Sequence, residues 1–196
     1  GEYPGDKYGE KATEKLKRMY HFGIRHFIDL TEEGELCPYN HLLPNDTTYT
    51  RFPVVDCGVP KNIESVQRLL LRIEELKKMD GYVYVHCWGG VGRTGTIVAC
   101  YLSQNRDESD LNHTLEVLRR NFSKMPKSAY RETPETKVQI DFIEQFINAS
   151  KSYKEEKSKR VADCIRGSLI AGAAGDALGY EVEFMSSRAI LSRFGE

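Results

Sequence analysis

The sequence predicts an α/β fold, a central and mostly parallel sheet flanked by helices, with a helical fragment at the C-terminal end. Two observations carry that expectation. Short β-branched and aromatic runs at 26–30, 48–55 and 82–85 alternate with longer segments of helical periodicity. Helix and strand patterns in alternation build layered α/β folds. The third run leads into Cys87-Trp88-Gly89-Gly90-Val91-Gly92-Arg93, a glycine-rich turn that opens a further helix-like segment.

In chain order, residues 1–9 are rich in Gly, Pro and Tyr and read as a loop. Residues 10–20 predict a helix with Leu16, Met19 and Tyr20 on one face, and 26–30 a short buried strand. Residues 32–45 are polar and proline-punctuated, hence loop; Cys37 and His41 there resemble half a metal site without its other half. Residues 48–55 predict a strand. Residues 61–79 predict a helix whose apolar face is Ile63, Val66, Leu69, Leu70, Ile73 and Leu76, with Pro60 at its first turn. Asp80-Gly81 turns into a buried strand over 82–85. Residues 94–103 read as a buried helix, in which Cys100 is a packed thiol. Ser109 or Asp110 caps a helix over 111–121, and Pro134-Glu135-Thr136 opens another that ends near Ala149.

Residues 150–160 break the composition: Lys and Glu dominate, as in a solvated linker or the exposed continuation of a helix. Residues 161–179 then read as a close-packing helix, with Gly167, Gly172 and Gly175 allowing a neighbour to approach. The expected organisation is a domain over 1–150, a charged linker over 151–160 and a separate segment over 161–196.

Lys and Arg number 28 against 29 Asp and Glu, a formal charge of -1. That balance predicts no bulk attraction to nucleic acid or to an anionic membrane. No run of 18 apolar residues is present, and the N-terminus lacks a signal-peptide pattern, although Gly1 leaves open a leader before it. Five cysteines without paired metal spacing suit a cytoplasmic thiol protein better than a disulfide scaffold.

The chemistry centres on the turn after residue 86. A curved glycine-rich backbone opening a helix aims several N–H groups into one concavity, where the helix N-terminus adds positive potential. Such a nest suits a tetrahedral dianion, and Arg93 can add a bidentate clamp. A thiolate at Cys87 is stabilised in that field, which makes it a nucleophile rather than a core thiol. No dinucleotide fingerprint and no Gly-Lys-Ser/Thr nucleotide loop is present.

His86-Cys87, five residues, then Arg93-Thr94 resembles the phosphate-binding loop of the cysteine-dependent protein tyrosine phosphatases, in the compact setting of their dual-specificity branch. The resemblance covers roughly residues 1–150 and implies the cysteine phosphatase fold and a cysteinyl-phosphate mechanism without a cofactor. It casts Cys87 as nucleophile, and Arg93 with the backbone of Trp88, Gly89, Gly90, Val91 and Gly92 as phosphate holder. Thr94 would hydrogen-bond the sulfur, His86 would hold the loop and tune the thiol, and Asp56 would be the general acid; Asp29 and Asp80 fit that pattern less well. Gln139 resembles a glutamine that positions hydrolytic water in the larger tyrosine phosphatases. Structural alternatives stand beside these roles: a helix-start hydroxyl for Thr94, a turn carboxylate for Asp56, a buried strand residue for His86. The implied substrates are phosphorylated proteins or small phosphomonoesters. The five loop residues hold no Lys or Arg, which disfavours polyphosphoinositides. A phosphatase for an ADP-ribose-related phosphate and a weakly active phosphate-recognition module are the alternatives.

The last 36 or so residues resemble the first helix and loop of the ADP-ribosylglycohydrolases, through Arg166-Gly167, Gly172, Gly175-Asp176-Ala177-Leu178-Gly179 and Val182-Glu183-Phe184. That resemblance implies Glu183 as a ligand of a two-magnesium centre in a complete domain. The further acidic clusters of that family are missing, so no complete metal site and no intact hydrolase is expected here. An apolar, unfinished element makes self-association through the tail an expectation as well.

Overall fold

The computed structural model describes residues 1–6, 11–104 and 110–179, with side chains as far as residue 169. Three strands, β1 (Ile24–Asp29), β2 (Thr48–Arg51) and β3 (Tyr82–His86), form a sheet in the order β2-β1-β3 with both pairings parallel. Parallel neighbours need a crossover. Helix α2 (Ile63–Leu76) supplies it between β2 and β3, while α1 (Ala12–His21) precedes β1. Helices α3 (Gly92–Gln104), α4 (Leu111–Phe122) and α5 (Lys137–Gly179) follow.

Side chains of β1 alternate between two cores. Ile28 and Leu30 enter the larger one with Val66, Leu69, Leu70 and Ile73 of α2, Ile97 of α3 and Phe146 of α5. Phe27 enters the smaller one with Leu16 of α1 and Tyr39. Full burial of each such side chain stabilises the fold by roughly 1.5–3 kcal/mol.

Several boundaries differ from expectation. Pro60 does not open α2: the cap is Asn62, whose side chain accepts from Ser65 N at 2.8 Å. A side-chain oxygen satisfying an orphan N–H defines the start better than a fixed φ does. The regular ladder of β2 is shorter than the expected 48–55 and stops at Arg51. Phe52 and Val54 still donate to Asp29 O and Leu30 O, at 2.8 and 3.0 Å, so the chain stays beside β1 up to Val54. The expected buried strand at 82–85 is only half-buried, and Tyr82 is exposed, since β3 lies at one end of the strand order. The loop over 32–45 contains one 3-10 turn at Asn40–Leu42 and sends Tyr39 into the core.

The chain divides after Ser150 into two units. Helix α5 does not end near Ala149; it continues without a break through the charged stretch to Gly179. Every residue from 151 to 169 is exposed, including Tyr153, Val161, Ile165 and Leu169. Glu183 lies outside the described residues. Among the described residues no helix is long and apolar enough to cross a membrane.

Candidate active site

The end of β3 delivers His86 and Cys87, and α3 begins at Gly92. Between them the backbone curls back on the sulfur: Gly90 N–H donates to Cys87 Sγ at 3.3 Å, with Gly90 at φ +71°, a left-handed conformation suited to glycine. Thr94, in the first turn of α3, donates its hydroxyl to Cys87 Sγ at 3.1 Å. Both donors reach the sulfur beside the start of α3.

Arg93 is 2% exposed and meets four oxygens from three residues. Its two terminal nitrogens fork onto Glu35, at 2.7 Å to Oε2 and 2.6 Å to Oε1. One also donates to Val54 O at 3.0 Å, and the other reaches Asp56 Oδ1 at 2.9 Å. Burial opposes the guanidinium charge, but the bond to Glu35 and the neighbouring negative groups outweigh it and raise the pKa. In return the Arg93 bond holds the Glu35 carboxyl below its ordinary range, against the opposing effect of burial. Glu35 lies in a stretch the sequence marks only as loop, and no local signal predicts its 58-residue reach to Arg93.

Asp56 sits in a turn, residues 55–58, closed by Gly58 N donating to Val55 O at 2.9 Å. Its side chain is more than half exposed yet meets Arg93. Asp56, distant in the chain, is therefore brought to the loop that holds Cys87, Arg93 and Thr94.

His86 is fully buried. Its Nδ1 lies 3.1 Å from Cys87 O, which can only accept, so this nitrogen carries the proton. Nε2 then accepts from Tyr39 OH at 2.6 Å. Asp29, also buried, stands 3.9 Å from Nδ1 and takes hydrogen bonds from Thr31 and Tyr49. Burial lowers the His86 pKa to about 4, ahead of the raising effect of Asp29. The ring is neutral near pH 7 and braces the loop through hydrogen bonds. Between about pH 6.5 and about pH 4 the unfolded chain binds a proton here that the native state refuses, so stability falls as pH drops through that window and is level above it. Urea unfolding of the parent chain should show that loss, and His86→Gln should flatten it; an equal slope in both would sink the assignment.

The other predicted residues scatter around the loop. Trp88 is 61% exposed, whereas Val91 and Gly92 are buried. Gly89 O accepts from Lys127 Nζ at 2.7 Å. Lys127, from the 3-10 turn Pro126–Ala129, thus sets a cation against a loop that carries none of its own. Gln139 is fully buried and its amide bonds backbone: Oε1 accepts from Glu135 N and Thr136 N at 3.0 and 3.3 Å, and Nε2 donates to Gly58 O at 3.1 Å. A Thr136-x-x-Gln139 capping-box pattern in the sequence was the available signal for this. Cys100 is buried and its thiol pKa raised by desolvation. Among the described residues no three His, Cys, Asp or Glu side chains are grouped to hold a metal ion.

A parallel sheet delivering a cysteine into a curved anion loop at a helix start, with a buried arginine closing the loop, defines the cysteine phosphatase fold. The sequence model described as "Swiss Army Knife protein, DSP-PTPase phosphatase domain" matches residues 9–147, and the chain belongs to that phosphatase family. It is 31% identical over 150 residues to putative tyrosine phosphatase 067L of Invertebrate iridescent virus 3, covering 71% of this chain and 60% of that protein. To putative tyrosine phosphatase 197R of Invertebrate iridescent virus 6 it is 29% identical over 143 residues, covering 69% and 47%. The chain thus spans between about half and three fifths of the length of these relatives. Among solved structures, the active form of Tk-PTP superposes with a TM-score of 0.59 at 25% identity, over 69% of this chain and 86% of that one.

Proposed function

We propose that this chain hydrolyses phosphomonoesters on proteins, phosphotyrosine foremost and phosphoserine or phosphothreonine with it, through a cysteinyl-phosphate intermediate. The observation that carries the reading is the convergence of Cys87 Sγ, its Thr94 and Gly90 donors, and Asp56 on the guanidinium of Arg93. In the proposed first step the Cys87 thiolate attacks phosphorus in line. The S–P bond forms as the ester P–O bond breaks, and Asp56 gives its proton to the departing oxygen. In the second step Asp56, now a carboxylate, takes a proton from water, whose oxygen displaces sulfur; inorganic phosphate leaves and the thiolate returns. Arg93 and the loop N–H groups hold the equatorial oxygens throughout. An incoming dianion competes with Asp56 for the outer guanidinium nitrogen, while Glu35 keeps the fork oriented.

Exposed Trp88, next to Cys87 in the loop, offers a flat apolar face for an aryl ring or a neighbouring peptide residue. A reducing, cytoplasmic setting suits a site that needs a free thiolate. The tail reading rests on sequence alone: residues 161–196 would be the start of an ADP-ribosylglycohydrolase-like domain in a longer protein. Asp176 and Glu183 are too few oxygen ligands for a magnesium centre, so the proposed chemistry stays in the Cys87 loop.

The deciding experiment is a substrate panel of phosphotyrosyl and phosphoseryl peptides, phosphorylated nucleotides and ADP-ribose phosphates, with Cys87→Ser as control. Phosphotyrosyl turnover that Cys87→Ser abolishes is expected. Turnover surviving the substitution would overturn the mechanism, and preference for a nucleotide phosphate would replace the protein substrate.

A further inference from the structure

We infer that Gln139 and Thr136, at the start of α5, act as a latch that registers the Asp56 turn on the phosphate loop, so that Gln139 serves the first chemical step as a positioning residue. The inference rests on the proposed phosphatase reaction. Gln139 first looks like an ordinary helix cap. Thr136 Oγ1 accepts from Gln139 N at 3.3 Å and Gln139 Oε1 accepts from Thr136 N at 3.3 Å, the reciprocal pair of a capping box. Such a box needs only those two oxygens. Here the remaining polar atoms reach further: Gln139 Nε2 donates to Gly58 O at 3.1 Å, and Thr136 Oγ1 donates to Cys57 O at 3.3 Å.

Both carbonyls belong to the turn that carries Asp56. That turn is not a relaxed one, because Cys57 has φ +57°, which a side chain-bearing residue seldom adopts unless its surroundings over-determine it. The latch supplies that determination, from residues about 80 positions away in sequence. Its other side touches the phosphate loop: a Cβ on Gly92 would lie 2.9 Å from Gln139 Nε2 and would also meet the Glu135 carboxylate. One buried amide therefore spaces the Asp56 turn from the residue preceding Arg93, which fixes where the proton donor stands relative to the bound phosphoryl group. With its oxygen spent on two backbone N–H groups, Gln139 is committed to this framework rather than to orienting water.

The test separates cap from latch. Gln139→Glu keeps the side-chain oxygens that cap α5 but replaces the donor to Gly58 O by an acceptor. Single-turnover rates are measured on two aryl phosphates, one with a basic phenolate leaving group and one with a weakly basic one. Expected is a fall of about tenfold or more on the basic leaving group, little change on the other, and a chain that remains folded, with a lowered melting temperature because a buried acceptor then faces Gly58 O. Equal loss on both substrates, no loss on either, or a burst followed by slowed intermediate hydrolysis overturns the latch; the last would restore a water-positioning role. Should the glutamate not be tolerated, Gln139→Asn, one methylene shorter, is read by the same ratio. Absence of Cys87-dependent turnover in the parent chain would overturn the phosphatase reading instead, which keeps the two failures apart.

Discussion

Arg93→Lys is expected to lower kcat on an aryl phosphate by about 10²- to 10³-fold while the chain remains folded. The guanidinium presents two parallel N–H donors, and Glu35 already aligns them at 2.6 and 2.7 Å. Lysine keeps the charge but carries it as a point on a flexible stem. One ammonium cannot fork onto Glu35, satisfy Val54 O and still offer two donors to phosphate oxygens. Breaking the pairing also leaves the partly buried Glu35 carboxylate poorly matched, so some loss of stability accompanies the loss of rate. Steady-state kinetics with a parallel thermal melt check both; a variant retaining a tenth or more of parental kcat would show that the fork is dispensable.

Asp56→Asn has the second large effect, and its signature is selectivity. An amide has no carboxyl proton to donate, so the rate on a basic leaving group should fall by about 10²-fold or more. A leaving group that departs as a stable anion needs no such proton and should be nearly unaffected. Because the Asp56 side chain is more than half exposed and meets Arg93 at 2.9 Å, the substitution should leave the melting temperature almost unchanged. A uniform loss across leaving groups would move the general acid elsewhere, and Glu35, on the same guanidinium, would be the next residue to vary.

Much of the fold was legible because its signals are local. Alternating strand and helix patterns announced a parallel sheet with crossovers, and of the expected apolar face of α2, Val66, Leu69, Leu70, Ile73 and Leu76 are buried while Ile63 is partly buried against the same core. Asp110 does cap α4, its side chain accepting from His113 N at 2.7 Å. Boundaries failed where two local signals competed, as at Pro60 against Asn62. The long continuation of α5 was ambiguous for a different reason. A fully solvated helix of Lys and Glu and a solvated linker of the same residues share one composition.

Residue order alone committed the chain to an anion-binding loop with a thiol inside it. Glycine conformational freedom, the N–H groups at a helix start and the Cys87–Arg93 spacing all act within seven residues. Folding decided what surrounds that loop. Glu35 grips Arg93 across 58 residues, Tyr39 bonds His86 across 47, and Gln139 holds the Asp56 turn across 81. Each joins a loop or helix start to the site only after two layers pack against the sheet. A hydrogen bond between distant segments leaves no periodicity in sequence, since nothing near either partner must change to make it. The cysteine loop was therefore readable as a motif, whereas the carboxylates and amides that surround it emerge from tertiary packing.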